Sequence, residues 1–431
     1  MNFFKFLQNL LKLFPIFNNK PIKPEVPTEP EVPTEPEVPT EPEVPTEPEV
    51  PTEPEEVPTE PEVPTEPIKT FVHAEGNKLF NERNEEITLH GVNLGGWLLQ
   101  EYWMCPIKGD SNIEKWTHLE TLDTLERRFG IDKTQELMDT YYNNFIVESD
   151  IKNIAEKGAN TIRIPFWYRN FMLNPDGDWI KDNLDENPGF KVLDWVIKTA
   201  GKYGIYVVLD MHGCPGGQSY DHCAGSARKC ELFSNEKYIE AMEKLWTAIA
   251  NRYKDNQTVA VYDIMNEAKT YDGEVLSDPR NKIYDRMYKA IRNIDKNHMI
   301  SMEAIWTLDK LPKPNEMNWE NVIYQLHSYG DDANSYCNNV YNYGKQNNVP
   351  MYIGEFMDMN IIKKCNELNM SYTSWAYKGT INMDDTWFWY QKYITQADIL
   401  NDSFNTIKRK WSTPIQTKNM NENKNVTVNF K

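Results

Sequence analysis

Basic residues are in short supply: 46 Lys and Arg stand against 65 Asp and Glu, a net charge of −19 at pH 7. A nucleic-acid partner calls for a cationic face to neutralise phosphates, so this balance gives that class no support. The six cysteines include no CxxC pair and offer no zinc or iron–sulfur ligand pattern. Cys214, Cys223 and Cys230 crowd one segment, where a disulfide and free buried thiols stay equally open. No apolar run is long and clean enough for a transmembrane helix.

The composition changes abruptly near residue 70. From residue 25 the hexapeptide EVPTEP recurs seven times, interrupted once by the extra Glu55. Fifteen Glu and one Lys between residues 21 and 67 account for −14 of the net charge, and with the three Lys of residues 1–20 the remainder carries only −8. Proline fixes φ and removes amide donors while the glutamates repel one another, so residues 21–69 are expected as an extended, disordered polyproline-II linker. Its role as a spacer and its inertness as an expanded repeat are both open. Residues 1–20 begin MNFFKFLQNLLKLFPIF, in which Lys5, Gln8, Asn9 and Lys12 would share one helix face. Export signal, interfacial membrane anchor and unstructured tail compete here, with export favoured, so the expected location is secreted or attached to a membrane or cell wall.

From residue 70 onward short β-rich runs alternate with amphipathic helical stretches such as 189–203, 235–254 and 281–295. The runs lie at 88–94, 160–165, 205–210, 260–265, 299–304, 322–327, 351–356 and 372–377. Near-continuous apolar strands separated by helices predict a parallel sheet buried on both faces, and eight such units predict a (β/α)₈ barrel. The preceding stretch, with turn residues Gly76 and Asn77, reads as a small β-hairpin able to plug the barrel. The catalytic domain is expected over 70–411, and the Asn-rich residues 412–431 as a loose polar tail.

In such a barrel the functional side chains stand at the C-terminal ends of the strands. Those positions hold Arg163, Asp210, His212, Asn266, Glu267, His327, Tyr329, Glu355 and Trp375. Two carboxylates, Glu267 and Glu355, three strands apart on one rim can flank a shared sugar, one keeping a proton for the leaving oxygen and the other attacking the anomeric carbon. Arg163 supplies the asymmetry if it lies beside Glu355, leaving Glu267 to hold its proton.

The segments IRIP (162–165), DMHG (210–213), MNEA (265–268), LHSY (326–329), IGEF (353–356) and SWAY (374–377) occur in this order, each at a predicted strand end. Through them the chain from about Thr70 to about Trp411 resembles glycoside hydrolase family 5. The stretch HGVNLGGWLLQEYWM (90–104) and the loop HGCPGGQ (212–218) are similar to the exo-β-1,3-glucanase branch. The resemblance implies Glu267 as acid/base, Glu355 as nucleophile, Asn266 as partner of the sugar 2-hydroxyl and Trp375 as the floor under the ring. It implies that Arg163, His212, His327 and Tyr329 position the carboxylates and the sugar. MNEA in place of the commoner NEP, and the Cys-bearing loop, are departures that bear on subsites and linkage.

Plainer readings stand beside these. His212 and His327 could be satisfied core histidines and Trp375 a packing residue. Trp97, Tyr102, Trp103 and Trp116 could line a sugar groove or cap the core, and Trp97 and Trp103 are carried forward as substrate-binding candidates. The function expected is a retaining β-glucan hydrolase, monomeric and needing no metal or cofactor because both proton and nucleophile come from glutamate. The linkage, β-1,3 before β-1,4 or mixed, and exo or endo action stay open. The alternatives are a hydrolase of glycolipid or steryl glucoside and a catalytically silent carbohydrate-binding surface protein.

Overall fold

All eight β-rich runs become strands of one closed parallel barrel: β1 His90–Asn93, β2 Thr161–Trp167, β3 Tyr206–Gly213, β4 Val259–Asp263, β5 Met299–Glu303, β6 Val322–Ser328, β7 Met351–Phe356 and β8 Ser371–Ser374. The computed structural model describes residues 70–269, 277–305, 307–381 and 387–427. The expectations for residues 1–20 and 21–69 lie outside the described residues.

The barrel closes where Tyr372, Thr373 and Ser374 of β8 pair with His90, Gly91 and Val92 of β1. Gly91 is required at this seam, since a Cβ there would sit 1.7 Å from the carbonyl oxygen of Thr161 on β2. Every residue of β2, β4, β5, β6, β7 and β8 is buried, as parallel strands covered on both faces must be.

The helices bury one face each against this barrel. Pro188–Lys202 starts on Asn187, whose side chain accepts from the Gly189 amide, with proline in the first turn, and it buries Phe190, Leu193, Val196, Ile197 and Ala200. Glu236–Tyr253 is capped by Asn235 and buries Met242, Leu245, Trp246 and Ile249. Each such side chain contributes about 1.5–3 kcal/mol of transfer free energy, so packing rather than propensity holds these helices in place.

The hairpin forms as expected: Val72–Glu75 pairs antiparallel with Lys78–Asn81 across a turn at Gly76, where φ is +63°, and Glu86–Ile87 adds a third strand. Val72, Leu79 and Leu89 pack on Val208, Ala260, Val261, Met299, Ile323 and Tyr352. Those residues come from the early and middle parts of β3 to β7, so the hairpin closes the barrel opposite the catalytic rim.

The C-terminal expectation needs correction. Residues 412–427 are packed rather than loose: Ile415, Thr417, Val426 and Thr427 are buried, and Asn421–Glu422 pairs with Tyr390–Gln391. The buried ammonium of Lys378 donates to the Ile415 carbonyl and the Thr417 hydroxyl at 2.9 and 3.1 Å. Burying that charge would be costly without these oxygens, which ties the segment to the barrel.

Candidate active site

Two register shifts shape the rim. Between β2 and β3, Phe166 pairs with Met211 but Trp167 with Gly213, so His212 is the extra residue. Between β6 and β7, Leu326 pairs with Ile353 but His327 with Glu355, leaving Gly354 unpaired. A bulge re-aims the side chains around it, and here the residues affected are His212, His327 and Glu355. At Gly354 the approach is close, since a Cβ would meet the side chain of Gln325 at 2.6 Å.

Arg163, fully buried on β2, is the hub. Its Nη1 donates to Glu355 Oε1 at 2.8 Å and to Asn93 Oδ1 at 3.1 Å, and Nε donates to Asp263 Oδ2 at 2.9 Å. Nη2 reaches Asn266 Oδ1 at 2.9 Å and Asp210 Oδ2 at 3.1 Å. Burial alone would lower its pKa, but Asp210, Asp263 and Glu355 outweigh that and raise it, so the charge is secure. The same Asp210 oxygen lies 2.7 Å from His212 Nδ1, and Asn266 Nδ2 lies 3.4 Å from His212 Nε2. Burial lowers the His212 pKa, yet Asp210 carries it above the ordinary value. His212 stacks on Trp375 with centroids 5.5 Å apart and planes 14° apart.

Glu355 is gripped from both sides, with the Tyr329 hydroxyl donating to Oε2 at 2.9 Å opposite the Arg163 contact. Burial, and after it the charge of Glu355, raises the Tyr329 pKa well above its usual value, so the hydroxyl remains a donor. His327 bridges the two carboxylates: Nδ1 lies 2.8 Å from Glu267 Oε1 and 3.5 Å from Glu355 Oε2. One oxygen of Glu267, one ring nitrogen of His327 and one oxygen of Glu355 all fall within 4.8 Å of one another.

Glu267 sits beyond the end of β4 with φ at +39°, a left-handed conformation uncommon outside glycine and asparagine. Its amide donates to Glu303 Oε2 at 2.8 Å, which fixes the turn. Its Oε2 is 2.7 Å from Lys269 Nζ. Two cations oppose the proton expected on Glu267 in this arrangement. Burial raises its pKa, but Lys269 and His327 outweigh burial and hold it well below the usual carboxylate range. Burial, with the charges of Glu267 and Asp263, pushes Glu303 up to about 8 against the pull of His327. His327 is lowered by burial but raised by Glu303, Glu355 and Glu267 to about 9.

The structure brings Arg163, His212, Asn266, Glu267, His327, Tyr329, Glu355 and Trp375 into one cluster. Trp103 is half-buried nearby, its indole N–H donating to Glu101 Oε2 at 2.9 Å and its ring 5.2 Å from that of Trp387. Trp387 stacks on Tyr329 at 5.7 Å, so this aromatic run leads to the nucleophile candidate. Trp97 does not belong to it. It is 1% exposed, its N–H donates to the Tyr142 carbonyl, and its ring meets Trp195 on the outer helix layer. Trp116 likewise satisfies its N–H on Thr121 and packs in the core. All six cysteines are free thiols.

Sequence reasoning missed Glu101, Asp263, Lys269 and Glu303. Glu303 ends β5 and is next to last in the run 299–304, so it could have been found by the strand-end rule applied to the others. Lys269 lies two residues past Glu267, but nothing local shows that its chain folds back. Glu101 carries no pattern in sequence; in the structure His222 Nε2 meets it at 3.0 Å.

Residues 122–396 match the family described as cellulase, glycosyl hydrolase family 5. A β-xylosidase of Phanerodontia chrysosporium is 29% identical over 263 residues, covering 60% of this chain and 52% of the relative. A probable glucan 1,3-β-glucosidase A of Aspergillus fumigatus is 26% identical over 314 residues, covering 68% of this chain and 70% of the relative. The chain thus spans 52% to 70% of the length of these two curated relatives. Among solved structures, a rutinosidase from Aspergillus niger shares the fold at TM-score 0.55 and 16% identity, covering 70% of this chain and 92% of that one. The family match covers more than half the chain and includes every strand of the barrel except β1, and this chain belongs to glycoside hydrolase family 5.

Proposed function

We propose that the barrel is a retaining β-glycoside hydrolase acting on β-glucan, with Glu355 as nucleophile and Glu267 as acid/base. The observation that carries this reading is the separation of the two carboxylates, whose nearest oxygens lie within 4.8 Å. Retaining enzymes hold their carboxyls roughly 5–5.5 Å apart, whereas inverting ones leave roughly 6.5–9.5 Å for a water between them.

The roles divide by environment. Arg163 and Tyr329 donate to opposite oxygens of Glu355, which orients it for attack on the anomeric carbon. Glu267 delivers a proton to the glycosidic oxygen as the bond to the sugar breaks, and then takes one from the water that opens the glycosyl-enzyme. Asn266, with Oδ1 held by Arg163, presents its amide to the sugar 2-hydroxyl, and Trp375, braced by His212, forms the floor of the ring.

A β-1,3-linked glucan is favoured because the GVNLGGWL and HGCPGGQ segments resemble the exo-β-1,3-glucanase branch and because a relative bears that activity in its name. The β-xylosidase relative keeps other β-glycosides in the test. A catalytically silent glucan binder would have no use for a doubly held Glu355 within reach of Glu267, which disfavours that alternative. No described helix is long and apolar enough to cross a membrane, and any export or attachment is assigned to residues 1–20.

The test is release of reducing sugar from laminarin, lichenan and carboxymethylcellulose, with proton NMR of the first product. A β-anomer from a β-glucan supports the reading. No turnover on any glycoside by a folded sample that still binds glucan would favour the silent binder.

A further inference from the structure

Lys269 is 5% exposed and stands between two acids. Its Nζ is 2.7 Å from Glu267 Oε2 and 3.2 Å from Asp221 Oδ2. Oε1 of Glu267 is taken by His327 Nδ1 at 2.8 Å, so Oε2 is the oxygen left to face a departing glycosidic oxygen. That oxygen is the one Lys269 holds. Cys223 Sγ approaches it at 3.8 Å from the loop after β3.

Resting on the hydrolase reading, we propose that Lys269 is a positioning residue for proton donation: its ammonium covers Glu267 Oε2 and transfers to Asp221 as the leaving group enters. The geometry supplies both ends of that movement. Asp221 already lies within ion-pair distance, and Lys115 Nζ, 3.2 Å from its other oxygen, fixes it as a landing place. While Lys269 sits on Oε2, Glu267 is an ionised base; once the ammonium leaves, His327 alone opposes the influence of burial, and Glu267 takes up a proton from solvent more readily. Among the described residues, the charged and titratable groups facing Glu267 are Lys269, His327 of β6, Tyr329 just after β6, Glu303 of β5, Glu355 of β7, and Asp221 and Cys223 of the loop after β3. His327, the other cation, sits on Oε1 and already bridges to Glu355, whereas Lys269 sits on Oε2 and reaches Asp221. Buried ion pairs lose strength steeply with separation, so a small swing changes the protonation of Glu267 substantially.

The experiment compares kcat/KM against pH for the full chain and for Lys269→Met, Lys269→Arg and Asp221→Asn on an alkyl β-glucoside and on 2,4-dinitrophenyl β-glucoside. The alkyl leaving group needs a proton and the dinitrophenolate does not, so only the alkyl substrate reports an alkaline limb set by Glu267. In Lys269→Met that limb moves up by about one pH unit or more, a gain that approaches about tenfold at pH values above both limbs. Lys269→Arg keeps the limb near that of the wild type. Asp221→Asn moves it down, because the ammonium then belongs to Glu267 alone. An alkaline limb that stays in place in Lys269→Met while the alkyl glucoside is still turned over would overturn the role of Lys269. If Lys269→Met does not fold, the direction in Asp221→Asn decides, and an upward or absent shift overturns the proposal. Failure of folded wild type to cleave either glucoside sinks the hydrolase reading instead, which is a different result.

Discussion

Arg163 and Glu355 meet at 2.8 Å, Nη1 to Oε1, across a barrel interior in which the guanidinium is fully buried and already holds Asp210 and Asp263. One cation thus offsets three carboxylates, and its loss would leave them facing one another in a region of low dielectric.

Arg163→Ala is therefore expected to destabilise the fold by about 3–5 kcal/mol, the cost of breaking a buried ionic network, and to abolish measurable turnover. Arg163→Lys retains the charge but cannot satisfy Glu355, Asp263 and Asn266 at once, because an ammonium lacks the planar fork. It should fold and lose about a hundredfold or more in kcat, of the order seen when a fixed electrostatic donor is removed. Thermal denaturation and kcat on an aryl β-glucoside check both. Wild-type kcat in Arg163→Lys would contradict the orienting role.

Stability should fall as pH rises from about 5 to 9. Glu303, pushed up to about 8, binds its proton in the folded state where an unfolded carboxyl has lost it. Its contribution is therefore unfavourable and grows from about pH 4.5, the ordinary glutamate range, until Glu303 itself ionises. His327, raised to about 9, has the same slope: its stabilisation is complete below its ordinary pKa of about 6.5 and is lost as pH passes the folded value. Glu267, held low, acts oppositely, its stabilisation being lost only in acid. Glu303→Gln keeps an oxygen for the Glu267 amide and should flatten the fall in Tm between pH 5 and 8. An unchanged slope in that variant would place the titrating group elsewhere.

How far the sequence could be read depended on whether a signal was local. The strands were legible because runs such as IYVVLD are near-continuously apolar up to the terminal Asp210, as strands buried on both faces are. Glu267 and Glu355 stood out by their places at predicted strand ends together with the family resemblance, and Arg163 with them, although it is the third of seven residues of β2. The bulges at His212 and Gly354 were not legible, since a one-residue shift depends on the neighbouring strand and leaves no local mark. Lys269 and Glu303 acquire their importance only from charges brought in by other strands. In residues 412–427 the anchoring Ile415 and Val426 are eleven positions apart, too sparse to show a period, so a packed segment read as a loose one.

The two tryptophans carried forward together should separate. Trp97→Ala removes a fully buried ring and its bond to Tyr142, so it is expected to cost about 3–5 kcal/mol of stability. In whatever fraction folds, KM should be that of the wild type. Trp103→Ala leaves the core intact but removes a face near Trp387 and Tyr329, so it should raise KM for oligosaccharides several-fold with little change in Tm. A KM effect from Trp97 in a stably folded protein would return it to the sugar groove.

The sharpest prediction separates the two carboxylates by chemical rescue. A small anion such as azide can enter the space left when either glutamate is truncated, and which anomer it yields depends on the role it replaces. In Glu355→Gly azide takes the place of the nucleophile and attacks the β-glycoside from the α face, giving an α-glycosyl azide in one inversion. In Glu267→Ala the nucleophile is intact and forms an α-linked glycosyl-enzyme, which azide opens from the β face, giving the β-azide in two. An activated aryl β-glucoside is needed in the second case because no acid remains to protonate a poor leaving group. The Arg163 and Tyr329 contacts to Glu355, and the separate hold of His327 and Lys269 on Glu267, supply the physical reason for the assignment. Proton NMR of the fresh products reads the anomeric coupling directly. Opposite azide anomers from the two variants are expected; the same anomer from both, or the reverse pairing, would overturn the assignment of Glu355 as nucleophile.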